Sequence, residues 1–457
     1  KRTQQSLNRL TSAYLTSSEL SRFSKYSWEK QFEVMKAVSE KLKEVEPLEI
    51  GLQADAQARV RQLLQKYRQE WEVPSIQAIV FDLSTGQILV QAQHSAVRSD
   101  FQETFKRKGY AGLFVDHGMY GYGINQLKSY LVPASTFKVL HALTAIEAEQ
   151  SEFKHICSNK GYQPIDSDWG GYHIQDWSKG KGHGHLNLKE GLKLSCNQYF
   201  ASLAVEGGTH PDVLSSMCSK KGLEFSPNDD CKLAEQGTPG AGMNGFGQGI
   251  TMNLYQISNI LFAAGANREP YLEEWDAYMT PEQRHPLDLE SVPLFDDDAK
   301  IQKISTTILP AMRTQYPSYL YNESVDKIRV YGKTGTGDHN ISIGRFTKER
   351  EGDFISKVKY NGRTVWVENY EKPYGVQGKW VDGELKGMSA GLYMVLVEDS
   401  EMAPDLLGTH RLGVVVRLPR LTKNIHKRPN GGKSAAPIAR DIIKILRDLD
   451  MIPTSSN

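Results

Sequence analysis

Apolar residues are spaced as in β-strands at both ends of the chain and as in helices between them. A turn-forming segment, Leu83-Ser-Thr-Gly86, separates two β-rich runs, which is typical of a hairpin. Helical spacing dominates from Ser135 to about Gly265. The β-rich runs cover residues 76–82, 87–92, 327–333, 391–397 and 412–418, and an amphipathic helix follows at 435–449. This order predicts an α+β fold, with an antiparallel sheet flanked by helices and an inserted, mainly helical subdomain.

The segment before the first strand is predicted to be helical. Apolar residues recur at helical spacing from Val60 to Tyr67, in a helix that begins at the N-cap Asp55 and ends before Pro74. A chain of 457 residues exceeds one ordinary core and leaves room for a large domain and a smaller segment. We therefore predict a helical appendage or linker over residues 1–74, one large domain over 75–452 and a tail over 453–457.

Charge and hydropathy exclude two broad classes of partner. Lys and Arg number 55 and Asp and Glu 54, so the net charge of +1 indicates no general affinity for nucleic acid. The longest apolar stretches, such as residues 392–397, fall far short of the roughly 20 residues that cross a bilayer. The polar residues 1–21 carry no apolar signal-peptide core. We expect any export signal or membrane anchor to have been removed or to lie outside this sequence.

The first candidate for chemistry is Ser135-Thr-Phe-Lys138. The apolar residues that follow predict a buried helix, on which Ser135 and Lys138 lie one turn apart on the same face. A lysine whose pKa is lowered by burial or by a second cation can take the proton of a serine hydroxyl. By itself this pair is common in helices, as an N-cap serine with a surface lysine.

Two further motifs follow in order: Ser195-Cys-Asn197 ahead of an apolar helix, and Lys333-Thr-Gly335-Thr-Gly337 at the end of a β-rich run. Together with Ser135-Thr-Phe-Lys138 they resemble the signature of the serine enzymes that recognise penicillin. The chain resembles the transpeptidase domain of penicillin-binding proteins from about residue 75 to 452. One departure is Cys196, which stands where the signature has Asp.

The resemblance implies a β-lactamase/transpeptidase-like fold and a role for each motif residue. Ser135 would be the nucleophile, Lys138 the general base, Ser195 the proton relay and Asn197 an orienting group, with Lys333 completing the catalytic set. Thr334, Gly335 and Thr336 would bind the substrate. The two threonines, together with Lys333, would bind the substrate's terminal carboxylate. The backbone N–H groups of Ser135 and Thr336 would form the oxyanion hole.

The implied function is that of a peptidoglycan D,D-transpeptidase that forms an acyl-enzyme with D-Ala-D-Ala stem peptides and is trapped by β-lactams. No cofactor is implied. Other cell-wall synthesis proteins are possible partners, and the active face is expected outside the cytoplasmic membrane, held there by an anchor absent from this sequence. A D,D-carboxypeptidase, a serine β-lactamase and a non-catalytic sensor or wall-assembly scaffold stay open as alternatives.

Four further expectations concern the insertion, the cysteines and the histidine pair. About fifty residues, 338–388, separate Lys333-Thr-Gly335 from the next β-rich run, and we interpret them as a decorated hairpin. A disulfide between Cys218 and Cys231 stays open. No metal site is predicted, because His183-Gly-His185 lacks a second ligand pair at metal spacing and reads as a turn. Cys196 is assigned to packing rather than to reactivity.

Overall fold

The structure is a computed structural model of the chain. It describes residues 52–71, 75–95, 127, 132–165, 169–178, 181–220, 223, 235–269, 272, 293–313, 327–342, 355–360, 363–368, 380–381, 384–400, 411–418 and 431–452. The chain divides into two compact units, residues 1–50 and 51–457, and all described residues belong to the second. The predicted appendage over 1–74 and the tail over 453–457 stay predictions.

An antiparallel sheet of six strands forms the frame of the second unit. Its strands run in the order β2-β1-β10-β9-β5, and β8 pairs with β9. Two smaller pairs, β3 with β4 and β6 with β7, lie outside it. The strands are β1 (Ser75–Asp82), β2 (Ile88–Ser95), β3 (His155–Cys157), β4 (Gly184–Leu186), β5 (Ile328–Ser342), β6 (Ile355–Tyr360), β7 (Arg363–Glu368), β8 (Trp380–Val381), β9 (Glu384–Asp399) and β10 (Leu412–Leu418).

Helices cover both faces of the sheet. They are α1 (Ala54–Trp71), α2 (Phe137–Glu147), α3 (Leu188–Lys193), α4 (Asn197–Val205), α5 (Pro211–Lys220), α6 (Pro239–Gly245), α7 (Leu254–Ala266), α8 (Asp298–Lys303), α9 (Leu309–Arg313) and α10 (Ala436–Asp448). Helices α2 to α9 come between β2 and β5 in the chain, whereas α1 precedes β1 and α10 follows β10. The predicted α+β fold, with sheet at both ends and an inserted helical subdomain, is confirmed.

The two faces of the sheet bury different cores because strand residues alternate in direction. In β9, Met394 belongs to the core shared with the helical subdomain, and Val395 to the core shared with α1 and α10. All seven residues of β10 are buried, and all are apolar except Arg417, whose Nε donates to the Gln77 side chain at 2.7 Å. Helix α1 contributes Val60 and Leu64 to the second core. It begins at Ala54, so Asp55 lies in the first turn and not at the predicted N-cap.

The helix that joins the subdomain to the sheet is α7. It packs against β10 and β9 on one side and against α2 on the other. Its N-terminus is closed by a capping box, in which the Asn253 side chain accepts the N–H of Gln256 and the Gln256 side chain accepts the N–H of Asn253. At its C-terminus Asn267 adopts the left-handed conformation that ends many helices. Through α7, the helix α2 that carries Lys138 is fixed relative to the sheet.

The predicted insertion starts as an extension of the sheet. Strand β5 continues past Lys333 to Ser342 and stays paired with β9 as far as the Ser342–Glu384 pair. A separate hairpin, formed by β6 and β7, follows within the insertion. Part of residues 338–388 lies outside the described residues, so their interpretation as a decorated hairpin stays a prediction.

A buried ionic network ties β5, β9 and β10 together. The Glu398 carboxylate accepts hydrogen bonds from Arg329 Nη1 at 2.7 Å, Arg411 Nε at 2.5 Å and Tyr331 Oη at 2.9 Å. Arg411 also donates to the carbonyl oxygen of Gly265, at the end of α7. Because the three charged groups are buried, their free energy depends on this pairing.

We predict that Glu398→Gln lowers the free energy of unfolding by about 3 kcal/mol, since it removes the buried carboxylate that pairs with both guanidinium groups. Glu70→Gln is the matched control, because Glu70 pairs with Lys66 at the exposed surface of α1. The control is expected to change stability by less than about 0.5 kcal/mol. Chemical denaturation followed by tryptophan fluorescence measures both, and equal losses would contradict a structural role for the network.

Candidate active site

Ser135 lies in a turn of 3₁₀-helix, Ala134–Thr136, that leads directly into α2. The hydroxyl of Thr136 donates to the carbonyl oxygen of Pro133 at 2.6 Å. Ala134 adopts a positive φ of 51°, which few non-glycine residues do. Thr136 and Lys138 are buried, whereas Ser135 is partly exposed. The turn therefore presents the predicted nucleophile at the surface of a buried helix.

Two glycines allow other parts of the backbone to approach this turn. A Cβ on Gly247, whose φ is +82°, would lie 2.3 Å from the carbonyl oxygen of Ala134. A Cβ on Gly335 would lie 3.0 Å from the carbonyl oxygen of Pro133. Strand β5, with its Lys333-Thr-Gly335 motif, is thereby packed directly beside the Ser135 turn. A Cβ at either position would press against this backbone, so glycine permits the close contact.

Lys138 connects the first motif to the second. Its Nζ donates to the Ser195 carbonyl oxygen at 2.6 Å, the Ser195 Oγ at 3.3 Å and the Asn197 Oδ1 at 2.7 Å. Ser195 adopts a positive φ of 53° in the turn before α4. This unusual backbone turns both its carbonyl oxygen and its hydroxyl towards the amine.

Lys333 connects the third motif to the same hydroxyl. Its Nζ donates to Ser195 Oγ at 2.8 Å and to the carbonyl oxygen of Thr334 at 3.0 Å. One serine hydroxyl therefore contacts the amines of two lysines that are far apart in the sequence. The structure brings together Lys138, Ser195, Asn197 and Lys333, as their shared assignment to one site required.

Burial of both amines changes their protonation. Desolvation lowers the pKa of Lys138 to about 8, against the opposing effect of Cys196 and Asp176 nearby. Desolvation and then the charge of Lys138 lower the pKa of Lys333 well below its usual value. Two ammonium groups that share one hydroxyl repel each other, so loss of a proton from one relieves the pair. A lysine amine in this site is therefore neutral at a lower pH than a lysine amine in water.

The remaining predicted site residues lie on β5. The Thr334 side chain is partly buried and that of Thr336 is exposed, on either side of the buried Gly335. The Thr336 Oγ1 accepts the backbone N–H of Gly431 at 3.3 Å, from the turn that leads into α10. These residues form the edge of the strand that faces the Ser135 turn.

Cys196 has a structural position in the second motif. Its Sγ accepts the backbone N–H of Tyr199 at 3.4 Å, the bond that a capping Asp or Ser would make at the start of α4. It is fully buried, and desolvation raises the pKa of its thiol. Both findings agree with packing rather than reactivity. Cys218 is a buried free thiol, and Cys231, its possible partner, lies outside the described residues.

The fold also assembles a group of side chains that the sequence did not connect. The Sγ atoms of Cys157 and Cys196, a carboxylate oxygen of Asp176 and a ring nitrogen of His183 all lie within 4.8 Å of one another. The prediction of no metal site at His183-Gly-His185 considered only spacing along the chain, whereas the fold brings three further potential ligands close to His183. The signal available in the sequence was that two of its four cysteines, Cys157 and Cys196, flank His183.

Comparison with known families decides the assignment. The model of the penicillin-binding protein transpeptidase domain matches residues 76–379. The chain belongs to this family. The resemblance drawn from the three motifs is confirmed, and the transpeptidase-domain match covers β1 through most of the insertion.

Solved structures of penicillin-binding proteins share the fold. The transpeptidase domain of penicillin-binding protein 3 from Burkholderia pseudomallei is 14% identical with a TM-score of 0.50, over 89% of this chain and 97% of that one. Penicillin-binding protein A from M. tuberculosis, as a ceftriaxone acyl-enzyme complex, is 16% identical with a TM-score of 0.52, over 90% and 83%. A peptidoglycan synthetase from Bifidobacterium adolescentis is 17% identical with a TM-score of 0.51, and the match spans 89% of this chain but 62% of that protein.

The close approach of Gly247 to Ala134 leads to a testable prediction about acylation of this penicillin-binding protein. Gly247→Ala should lower the rate of penicillin acylation by about tenfold or more, because displacing Ala134 also displaces Ser135. Gly237→Ala is the matched control: its φ is also +82°, but its added Cβ meets nothing within 4 Å. Rates of labelling by a fluorescent penicillin measure both variants. Equal losses would mean that backbone strain alone, and not the collision, causes the effect.

Proposed function

We propose that the protein is a peptidoglycan D,D-transpeptidase, which forms a serine acyl-enzyme on Ser135 with D-Ala-D-Ala stem peptides. The observation that carries the proposal is the convergence of Lys138 and Lys333 on the Ser195 hydroxyl, beside the turn that presents Ser135. Acyl transfer by a serine needs a base for its hydroxyl and a proton donor for the leaving amine. These two lysines and Ser195 are placed to supply both.

Acylation begins with the proton of Ser135. Neutral Lys138, whose pKa is lowered to about 8, accepts that proton on Nζ as the Ser135 oxygen attacks the carbonyl of the penultimate D-alanine. The backbone N–H groups of Ser135 and Thr336 donate to the oxygen that becomes negative. Asn197 Oδ1 accepts from Lys138 and fixes the direction of its amine.

Breakdown of this intermediate needs a proton on the departing nitrogen. Protonated Lys138 passes a proton to Ser195 Oγ, 3.3 Å away, which passes its own to the terminal D-alanine as the C–N bond breaks. Lys333, 2.8 Å from the same oxygen, stabilises negative charge that develops there during the relay. The Ser135 ester remains, and an incoming amine then attacks it to form the cross-link.

Binding of the substrate's terminal carboxylate is assigned to β5. Thr334 and Thr336 offer hydroxyl groups and Lys333 offers N–H donors, at a strand edge beside Ser135. Charge-assisted hydrogen bonds to a carboxylate are stronger than neutral ones. Gly335 lets this strand lie against the backbone of Pro133, so that the carboxylate site and the nucleophile stay at a fixed separation.

The acceptor distinguishes the alternatives, because a D,D-carboxypeptidase or a serine β-lactamase uses water where a transpeptidase uses an amine. A non-catalytic sensor or scaffold would keep the fold without turnover. The proposed partners are stem peptides and β-lactams, together with other cell-wall synthesis proteins. The proposed location is extracytoplasmic. No helix among the described residues has the length and apolar character to cross a membrane.

Labelling with a fluorescent penicillin tests the proposal. The wild-type protein should form a long-lived adduct, and Ser135→Ala should form none, because the ester oxygen is gone. Ser216→Ala, an exposed position on α5, is the control and should label as the wild type does. Rapid release with hydrolysed drug would favour a β-lactamase. A folded wild type that does not label would contradict the catalytic proposal.

The pH dependence of acylation tests the role of Lys138. Because the neutral amine is the base, the acylation rate should rise about tenfold per pH unit and level off above about pH 8. A lowered lysine pKa places this rise two units or so below that of an ordinary lysine. Stopped-flow measurements between pH 6 and pH 10 with one β-lactam give the profile. A rate independent of pH over this range would rule out Lys138 as the base.

A further inference from the structure

Four potential metal ligands meet directly behind the second motif. Cys157 ends β3, His183 precedes β4, Asp176 lies in the loop between them, and Cys196 is the middle residue of Ser195-Cys-Asn197. Pairing of Cys157 with Gly184 places His183 beside Cys157, and the N–H of His183 donates to the Cys157 carbonyl oxygen at 3.1 Å. The ligands thus come from three separate segments that the fold holds together.

The donor atoms already have the spacing of a coordination sphere. Cys157 Sγ lies 3.4 Å from Asp176 Oδ2 and 3.6 Å from His183 Nδ1. In a tetrahedral zinc site, a sulfur and a nitrogen or oxygen ligand are about 3.5 Å apart, given the usual metal–ligand bond lengths. His183 Nδ1 and Asp176 Oδ2 are closer, at 2.8 Å, and would separate slightly around an ion.

The group is buried, which distinguishes it from an accidental surface cluster. The side chain of Asp176 is 2% exposed and that of His183 12% exposed. Cys157 and Cys196 are 2% and 0% exposed. Burying a carboxylate and two thiols together is unfavourable unless a cation or hydrogen bonds compensate them. Coordination of a divalent metal would compensate all of them at once.

The surrounding backbone fixes the ligands in place. The second oxygen of Asp176, Oδ1, accepts the N–H of Trp177 at 2.6 Å and is 3.5 Å from the N–H of Asn197. Gly182 has a φ of +61°, and a Cβ there would lie 2.6 Å from the Cys157 carbonyl oxygen. Such outer contacts are what orients the ligands in known metal sites.

We propose that Cys157, Asp176, His183 and Cys196 bind one zinc ion. Two thiolates, an imidazole and a carboxylate are a soft to borderline set of four ligands, which suits zinc rather than magnesium or calcium. Four protein ligands leave no open position, so the ion is structural. Since Cys196 lies between Ser195 and Asn197, the ion holds the turn that gives Lys138 its hydrogen-bond acceptors.

Metal analysis of the purified protein tests the site. After incubation with zinc and removal of unbound metal, the wild type should hold about one zinc per chain by elemental analysis. Cys157→Ser and His183→Ala should lose most of it. Cys218→Ser, a buried thiol outside the group, and His185→Ala, an exposed imidazole two residues from His183, are the matched controls and should keep it.

Cobalt replacement of the wild type gives a readout that does not depend on whether a variant folds. Thiolate coordination should produce a sulfur-to-cobalt charge-transfer band in the near ultraviolet, together with the intense visible bands of tetrahedral cobalt. Titration with zinc should abolish both. A protein that binds neither metal, or binds zinc equally well in Cys157→Ser, would overturn the proposal.

The rival arrangement is a disulfide between Cys157 and Cys196, which the closeness of the two sulfur atoms allows. Alkylation of the unfolded protein with and without prior reduction, followed by peptide mass analysis, distinguishes the two. The zinc site predicts that both cysteines are alkylated without reduction once the metal is chelated. Protection of both until reduction would also overturn the proposal.

Chelation should have a structural effect as well. Removing the ion from the wild type is expected to lower its thermal unfolding temperature, and zinc but not magnesium should restore it, since binding to the folded state alone stabilises it. His183→Ala should show no such response, while His185→Ala should respond as the wild type does. If the chelator did not change the unfolding temperature of the zinc-loaded protein, a structural role for the ion would be contradicted.

Discussion

The site depends on the burial of two lysine amines around one serine hydroxyl. Both lysines are fully buried, so each amine needs acceptors within the protein, and Ser195 provides them for both. The same burial lowers the pKa of Lys138 and of Lys333. In the proposed function, this cost in folding free energy becomes a catalytic property, because the serine chemistry requires a neutral amine near neutral pH.

The fold is arranged to bring the two amines together. Lys138 comes from a helix of the inserted subdomain and Lys333 from a strand at one edge of the sheet, so the site lies where these two parts meet. Helix α7 packs between α2 and the sheet, and the Glu398 network joins β5 to β9 and to Arg411, just ahead of β10. The proposed zinc ion would fix the third component, the turn of Ser195, from behind.

The sequence predicts the parts of the structure that local patterns determine. Strand β10 falls at residues 412–418 as expected, and the three motifs identify the residues that converge on Lys138 and Lys333. It misses what tertiary contacts decide. Strand β5 continues to Ser342 only because β9 pairs with it that far. Cys157 and Asp176 reach His183 only through the pairing of β3 with β4 and the loop between them.

Direct titration of Lys138 is the most decisive measurement. Lysine labelled with ¹³C at Cε reports its own protonation by NMR, and comparison with Lys138→Ala assigns the signal. The account predicts a pKa near 8 for Lys138, as its burial requires. A value near 10.4, that of a lysine in water, would contradict the claim that burial among Ser195, Asn197 and Lys333 prepares this amine to act as a base.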